Sequence, residues 1–142
     1  KGIPNNLFPI LLKVASGESQ KLFIYGKDWS THDGTCIRDY IHVMDLADAH
    51  ISALKFIMNS SPILINLNIG TGNGKSVLEV VETFKKVNQC NFKFQFVSRR
   101  EGDAPYVVAD NSLALSKLKW KPIRNLDDMC RDAWRWKINQ KK

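Results

Sequence analysis

Residues 31–50, THDGTCIRDYIHVMDLADAH, gather three histidines, four aspartates and one arginine around a short apolar run. Two periodicities meet inside this stretch. RDYIHV (38–43) suits a short strand leaving a polar loop, KDWSTHDGT. From Val43 onward, apolar residues recur at Ala47, Ile51, Leu54 and Met58, the three- and four-residue spacing of an amphipathic helix. Asp45 is placed to cap that helix, and Asn59, with Pro62 shortly beyond, marks its end. A strand feeding directly into a helix is the unit of α/β architecture.

The alternation continues on both sides. NNLFPILLKVA (5–15) reads as a helix opened by an asparagine cap and closed near Gly17, with Pro9 close to the start, where proline is tolerated. KLFIYG (21–26) reads as a strand, and LINLNI (64–69) as a buried strand. GTGNGK then turns into a helix whose Ser76 and Glu79 have capping-box spacing and whose apolar stripe is Val77, Val80, Val81, Phe84 and Val87. FKFQF (92–96) alternates strictly, which puts three phenylalanines on one face of a half-buried strand. After the loop SRREGDAPY, helices are expected over 112–118 and 126–139. The fold class is α/β, with an α+β-like character because strands are few.

At 142 residues the chain is one domain's worth, and its 44% apolar and 25% charged residues match a globular balance. No apolar run approaches the roughly 20 residues that span a bilayer, and the first residues lack a signal-peptide pattern, so no membrane partner and a soluble, cytoplasmic protein are expected. Three widely spaced cysteines suit reduced thiols. Without a CxxC, and with histidines at 32, 42 and 50, no metal site is expected. The net charge of +7 favours an anionic partner: nucleic acid, a membrane surface or a phosphorylated small molecule. A solvated basic surface explains the same charge. The sequence opens directly in a helix and has few strands to cover its helices. Residues 1–142 are therefore expected to be the carboxyl-terminal part of a larger protein whose other domain supplies the cover.

INLNIGTGNGKS imitates a phosphate loop, but GxxxxGK[ST] requires glycine where Ile69 stands. The dinucleotide fingerprint fails as well, because Lys75 occupies its third glycine position. A tight strand-to-helix turn is the simpler reading. Arg38, at a loop-to-strand boundary, and Arg100, in the loop after FKFQF, carry the planar fork that grips phosphate. Two arginines from different loops can clamp a pyrophosphate while a neighbouring carboxylate takes ribose hydroxyls. Equally, they can pair with the adjacent Asp39 and Glu101, and the residues alone do not separate these readings. No serine or cysteine is placed to form a triad with His42 or His50, which read as structural.

IPNNLFPILLKVASG, LFIYGKDWSTHDGTCIRDYIHVMDLADAH, LNIGTGNGKSVLEVV, RREGDAPYVVAD and LDDMCRDAWRW occur in this order. Together they resemble the carboxyl-terminal part of the UDP-glucose 4-epimerase family, Rossmann-type enzymes of the extended short-chain dehydrogenase/reductase superfamily. The resemblance covers nearly the whole chain and is most specific in DGTxxRDYIHVxDLAxAH. Trp29 and Ser30 depart from the tyrosine and proline common there. The resemblance implies that residues 1–142 are a nucleotide-sugar substrate-binding domain. Asn6 and Leu7 would contact the UDP part, Phe23, Ile24 and Tyr25 would border the uracil, Arg38 and Arg100 would hold the diphosphate, and Asp103 would lie near the ribose. Val107 matches a residue at the sugar end of the pocket, and its intermediate bulk implies UDP-N-acetylglucosamine as a substrate beside UDP-glucose and UDP-galactose.

The reaction implied is C4 inversion of the hexose through an NAD-dependent 4-keto intermediate, in a complete protein that forms a homodimer. That chemistry needs a glycine-rich NAD loop and a YxxxK acid/base, and neither is in this chain. Tyr25, Tyr40 and Tyr106 are followed four residues on by Trp29, Met44 and Asp110. NAD is therefore expected on the absent amino-terminal domain, and these residues alone are expected to be inactive. Two other readings remain: the same domain of another nucleotide-sugar dehydratase or decarboxylase, and a basic nucleic-acid-binding module. The second is disfavoured, since no nucleic-acid motif appears.

Overall fold

The computed structural model describes residues 6–140. In chain order they form α1 (Leu7–Ala15), β1 (Lys21–Tyr25), β2 (Ile37–Arg38), α2 (Val43–Met58), β3 (Lys75–Ser76), α3 (Val77–Asn88), β4 (Lys93–Val97), β5 (Tyr106–Val107), α4 (Ser112–Leu118) and α5 (Leu126–Asn139). Residue 5, where the sequence pattern opens the first helix, lies outside the described residues. The two expected helices after β5 have the expected limits.

Strand β1 pairs in parallel with β4, setting Leu22 opposite Phe94 and Ile24 opposite Phe96. A second, smaller sheet has the order β3-β2-β5, in which Arg38 lies between Lys75 and Val107. The main core follows from side-chain alternation in β1, which sends Leu22 and Ile24 inward and Phe23 and Tyr25 outward. Leu22 and Ile24 meet Leu11, Leu12 and Val14 of α1, and Val80, Val81 and Phe84 of α3, with Cys130 of α5 closing the cluster. Each large apolar side chain buried there contributes about 1.5–3 kcal/mol. That burial fixes α1 beside the outer end of β1, where the site forms.

The start of α3 is held twice. The Glu79 N–H donates to the Ser76 hydroxyl at 3.0 Å, and the Ser76 N–H donates to the Glu79 carboxylate at 2.7 Å, completing the capping box. The Ser76 hydroxyl also donates to Asp33, whose other oxygen accepts from the Thr35 N–H and hydroxyl at 2.9 and 2.8 Å. The Asp33–Gly34–Thr35 turn is thereby fastened to the helix.

Three expectations need correction. LINLNI forms no strand: among the described residues no backbone hydrogen bond joins 63–69 to a neighbour, and Leu64 is 94% exposed. Alternation alone does not make a strand when no partner edge is available. Its inner residues, Ile65, Leu67 and Ile69, instead lie along α2 beside Ala49, Ala53 and Phe56. Second, α2 is capped by His42, whose Nδ1 accepts from the Met44 N–H at 3.1 Å. Asp45 sits inside the first turn, 1% exposed, because it has stronger partners than a cap offers. It accepts from the Ile123 and Arg124 N–H groups at 3.2 and 2.9 Å and from the Arg124 guanidinium at 2.5 Å.

Third, the strand expected around RDYIHV is only Ile37–Arg38, while β3 and β5 arise where a turn and a loop were expected. Two-residue strands carry no readable alternation. The apolar stripe picked out by periodicity on α2 faces outward, as expected of a helix with too few strands to cover it: Val43, Ile51, Leu54 and Met58 are each more than half exposed. Only Asp45 and Ala49 of this helix are buried. No helix among the described residues is long and apolar enough to cross a membrane.

Candidate functional site

A cleft of about 530 Å³ opens where β1 ends and the loop after β4 begins. Ligands of parallel sheets commonly bind beyond the carboxyl ends of the strands. The cleft collects Asn6 and Leu7 from the start of α1, Phe23, Ile24 and Tyr25 from β1, Arg38 from β2, and Arg100 and Asp103 from the loop after β4. Eight of the nine residues singled out from the sequence thus share one wall. Ile24 lines it from within the core, at 1% exposure. Val107 is the ninth. It does not line the cleft, but it is the register neighbour of Arg38 across β2 and β5, and it is exposed.

The arginines converge as the clamp reading requires. Arg38 Nη1 donates to the carbonyls of Ile37 and Ala104 at 2.8 Å each, and its Nη2 lies 3.5 Å from Asp103 Oδ1. Arg100 Nη2 donates to the same oxygen at 2.9 Å, and its Cζ stands 5.6 Å from the Tyr25 ring centroid. The Asp103 hydrogen bond and charge raise the pKa of Arg100 further, so that guanidinium stays charged. Asp39 does not pair with Arg38, because it is engaged elsewhere. Its Oδ1 accepts from the Thr71 N–H and hydroxyl at 2.9 and 2.5 Å, and its Oδ2 from the N–H groups of Gly72 and Ala109 at 2.9 and 3.3 Å.

That engagement also explains the glycines of the phosphate-loop look-alike. A Cβ on Gly70 would stand 2.5 Å from Asp39 Oδ2, and one on Gly74 would stand 2.5 Å from Ile37 Cγ2. The turn is glycine-rich because it crosses β2 closely. The amino terminus of α3 beyond it faces the carboxylates of Asp33 and Glu79, which is no place for an anion.

Seven lining residues were not singled out from the sequence, and two of them, Cys36 and Tyr40, stand next to the clamp. They flank Arg38 at two-residue spacing, so in extended chain all three share a face, a signal that strand periodicity offered. Tyr40 packs edge-on against Phe8, and burial pushes its phenol up to about 12. Burial likewise raises the Cys36 thiol, against the pull of the Arg38 charge. The cleft offers fixed positive charge and aromatic surface. The histidines lie outside it. His42 Nε2 is 3.3 Å from Asp132, His50 Nδ1 is 2.7 Å from the Leu46 carbonyl, and His32 is 3.6 and 3.7 Å from Asp33 and Glu79. Among the described residues, no three potential metal ligands come together.

Two guanidiniums, an aromatic strand edge and a helix start thus meet in one cleft, which puts fixed positive charge beside a flat ring. The chain belongs to the family described as GDP-mannose 4,6 dehydratase, whose model matches residues 1–133. It is 48% identical over 136 residues to the UDP-glucose 4-epimerase of Dictyostelium discoideum, covering 96% of this chain and 40% of that relative. The UDP-glucose 4-epimerase of Stenotrophomonas maltophila, solved with bound NAD and formylated UDP-arabinopyranose, superposes with a TM-score of 0.93 at 45% identity, over 99% of this chain and 42% of that one. The Bifidobacterium longum enzyme, solved in complex with NAD+ and UDP, gives 0.93 at 40% identity, again over 99% and 42%. The resemblance read from the motifs and the fold of the extended short-chain dehydrogenase/reductases both hold. The chain spans about 40% of the length of the curated relatives it matches.

Proposed function

We propose that residues 1–142 are the UDP-sugar-binding domain of a UDP-glucose 4-epimerase, and that NAD and the acid/base residues belong to a domain outside this chain. The observation that carries this reading is the convergence of Arg38 and Arg100 on one point of a cleft edged by Tyr25. Guanidinium forks match phosphate oxygens, and an aromatic ring gives a base a face to stack on. In this assignment the uracil lies along Phe23–Tyr25, the diphosphate between the arginines, the ribose near Asp103, and Asn6 and Leu7 close the nucleotide end. The exposed apolar residues of α2 and of 63–69 are the surface on which the other domain would rest. The substrates are UDP-glucose and UDP-galactose. UDP-N-acetylglucosamine is accepted less efficiently, with Val107 at the sugar end.

The complete protein is a cytoplasmic homodimer whose pairing helices lie outside this chain. Residues 1–142 alone turn over no sugar. The decisive experiment titrates UDP against the complete protein and its Arg38→Ala and Arg100→Ala variants. Loss of one charge-assisted phosphate contact is expected to weaken binding by roughly tenfold or more. Parent-like affinity in both variants would end the clamp assignment, and salt-dependent binding of random duplex DNA with no response to UDP would favour a nucleic-acid module. Substrate preference is tested by Val107→Tyr, which is expected to exclude the N-acetylated sugar while retaining UDP-glucose.

A further inference from the structure

Arg99, the neighbour of Arg100, does not line the cleft and grips the loop that follows β1. Its Nε donates to Asp28 Oδ1 at 2.9 Å, its Nη2 donates to the Asp28 carbonyl at 2.6 Å, and its Cζ lies 4.1 Å from the Trp29 ring centroid. Trp29 reaches back in turn, its Nε1 donating to the Tyr25 carbonyl at 3.4 Å. Two glycines let the loop close this tightly. Gly26 has a φ of +82°, and a Cβ there would stand 2.1 Å from Trp29 Nε1. Gly34 has a φ of +78°, and a Cβ there would stand 2.1 Å from the Lys27 carbonyl oxygen. The Trp29 N–H closes the turn onto the Gly34 carbonyl at 3.1 Å. The Gly26 N–H meets the Val97 carbonyl at 2.9 Å, carrying the β1–β4 pairing past the end of the sheet.

Chain geometry gives these contacts a role in the site. Arg99 and Arg100 are adjacent, so anchoring Arg99 on the β1 loop fixes the point from which Arg100 reaches over Tyr25 and onto Asp103. An exposed ion pair alone does little. Here the planar guanidinium also stacks on an indole, a geometry that lysine does not reproduce. The same indole touches the carbonyl of Tyr25, at the aromatic edge of the cleft.

We propose that Trp29, Asp28 and Arg99 are positioning residues for the anion clamp: they fix the exit of β4 so that Arg100 and Asp103 meet Arg38. This rests on the UDP-sugar reading above. The test measures UDP and uridine affinity by calorimetry on the complete protein and its Trp29→Leu, Trp29→Phe and Arg99→Ala variants. A displaced clamp acts chiefly on the diphosphate, which takes both guanidiniums, and uridine feels only the smaller ribose contact at Asp103. Trp29→Leu and Arg99→Ala are therefore expected to weaken UDP about tenfold while leaving uridine within about twofold, and Trp29→Phe, which keeps an aromatic face, to restore most of the loss. Unchanged UDP affinity in Trp29→Leu and Arg99→Ala overturns the proposal, and so does equal weakening of UDP and uridine, which marks a folding effect. A parent protein that binds no UDP overturns the UDP-sugar reading itself.

Discussion

Arg38 and Arg100 turn their Nη2 atoms on a single oxygen, Asp103 Oδ1, at 3.5 and 2.9 Å. One carboxylate thus serves as counter-ion to two guanidiniums drawn from separate elements. Asp103→Asn preserves the shape and removes the charge, leaving like charges facing each other in the free protein. A bound diphosphate replaces that charge. UDP is accordingly expected to raise the Tm of Asp103→Asn by more than it raises the parent's, measured at the same ligand concentration and low salt. An equal or smaller rise would show that Asp103 does not hold the arginines together.

The pairing of Asp45 with Arg124 is a matter of stability. Asp45→Ala strands two backbone N–H groups and leaves the Arg124 guanidinium with Asp48 alone, at 3.3 Å. The expected loss is about 3 kcal/mol in urea denaturation, with Asp45→Asn losing less because it keeps an acceptor.

Gly17 and Gly34 separate backbone strain from steric clash. Both have φ near +80°, but a Cβ on Gly17 meets nothing within 4 Å, whereas one on Gly34 runs into the Lys27 carbonyl. Gly17→Ala is expected to cost about 1 kcal/mol and Gly34→Ala about 2–3 kcal/mol, compared by thermal denaturation.

Acid weakens the start of α3. Burial alone would raise Asp33 and Glu79. For Asp33 the hydrogen bonds from Ser76 and Thr35, and for Glu79 the Ser76 N–H and Lys75, outweigh it and hold both carboxyls below their usual range. A depressed carboxyl stabilises the fold above its unfolded pKa, and the benefit fades as pH falls through the folded value. The Tm difference between parent and Asp33→Asn is expected to be constant from pH 6 to 8 and to shrink below about pH 4.

Those caps were legible from sequence because Ser76 and Glu79 announce them locally, and α4 and α5 were legible from their spacing. An uncovered helix face was legible from the shortage of strands, though periodicity alone does not say that it is the face of α2. Strands β3 and β5 were not legible, since they exist only because residues distant in sequence meet β2. At the site, residue chemistry left Arg38 and Arg100 divided between a clamp and pairing with their neighbours. The motif resemblance favoured the clamp, and the fold removes Asp39 as the partner of Arg38 by giving it to the glycine turn. The grip of Arg99 on Trp29 joins two loops that no local pattern connects.

The run over 63–69 carries one more consequence. Ile63 and Leu64 are exposed, and the backbone beside them makes no sheet bond among the described residues. A partly apolar run without a sheet partner among the described residues is a template for strand pairing. Prepared apart from a covering domain, this chain would find that strand in its own copies, and its colloidal behaviour would be set by six or seven residues that take no part in the cleft.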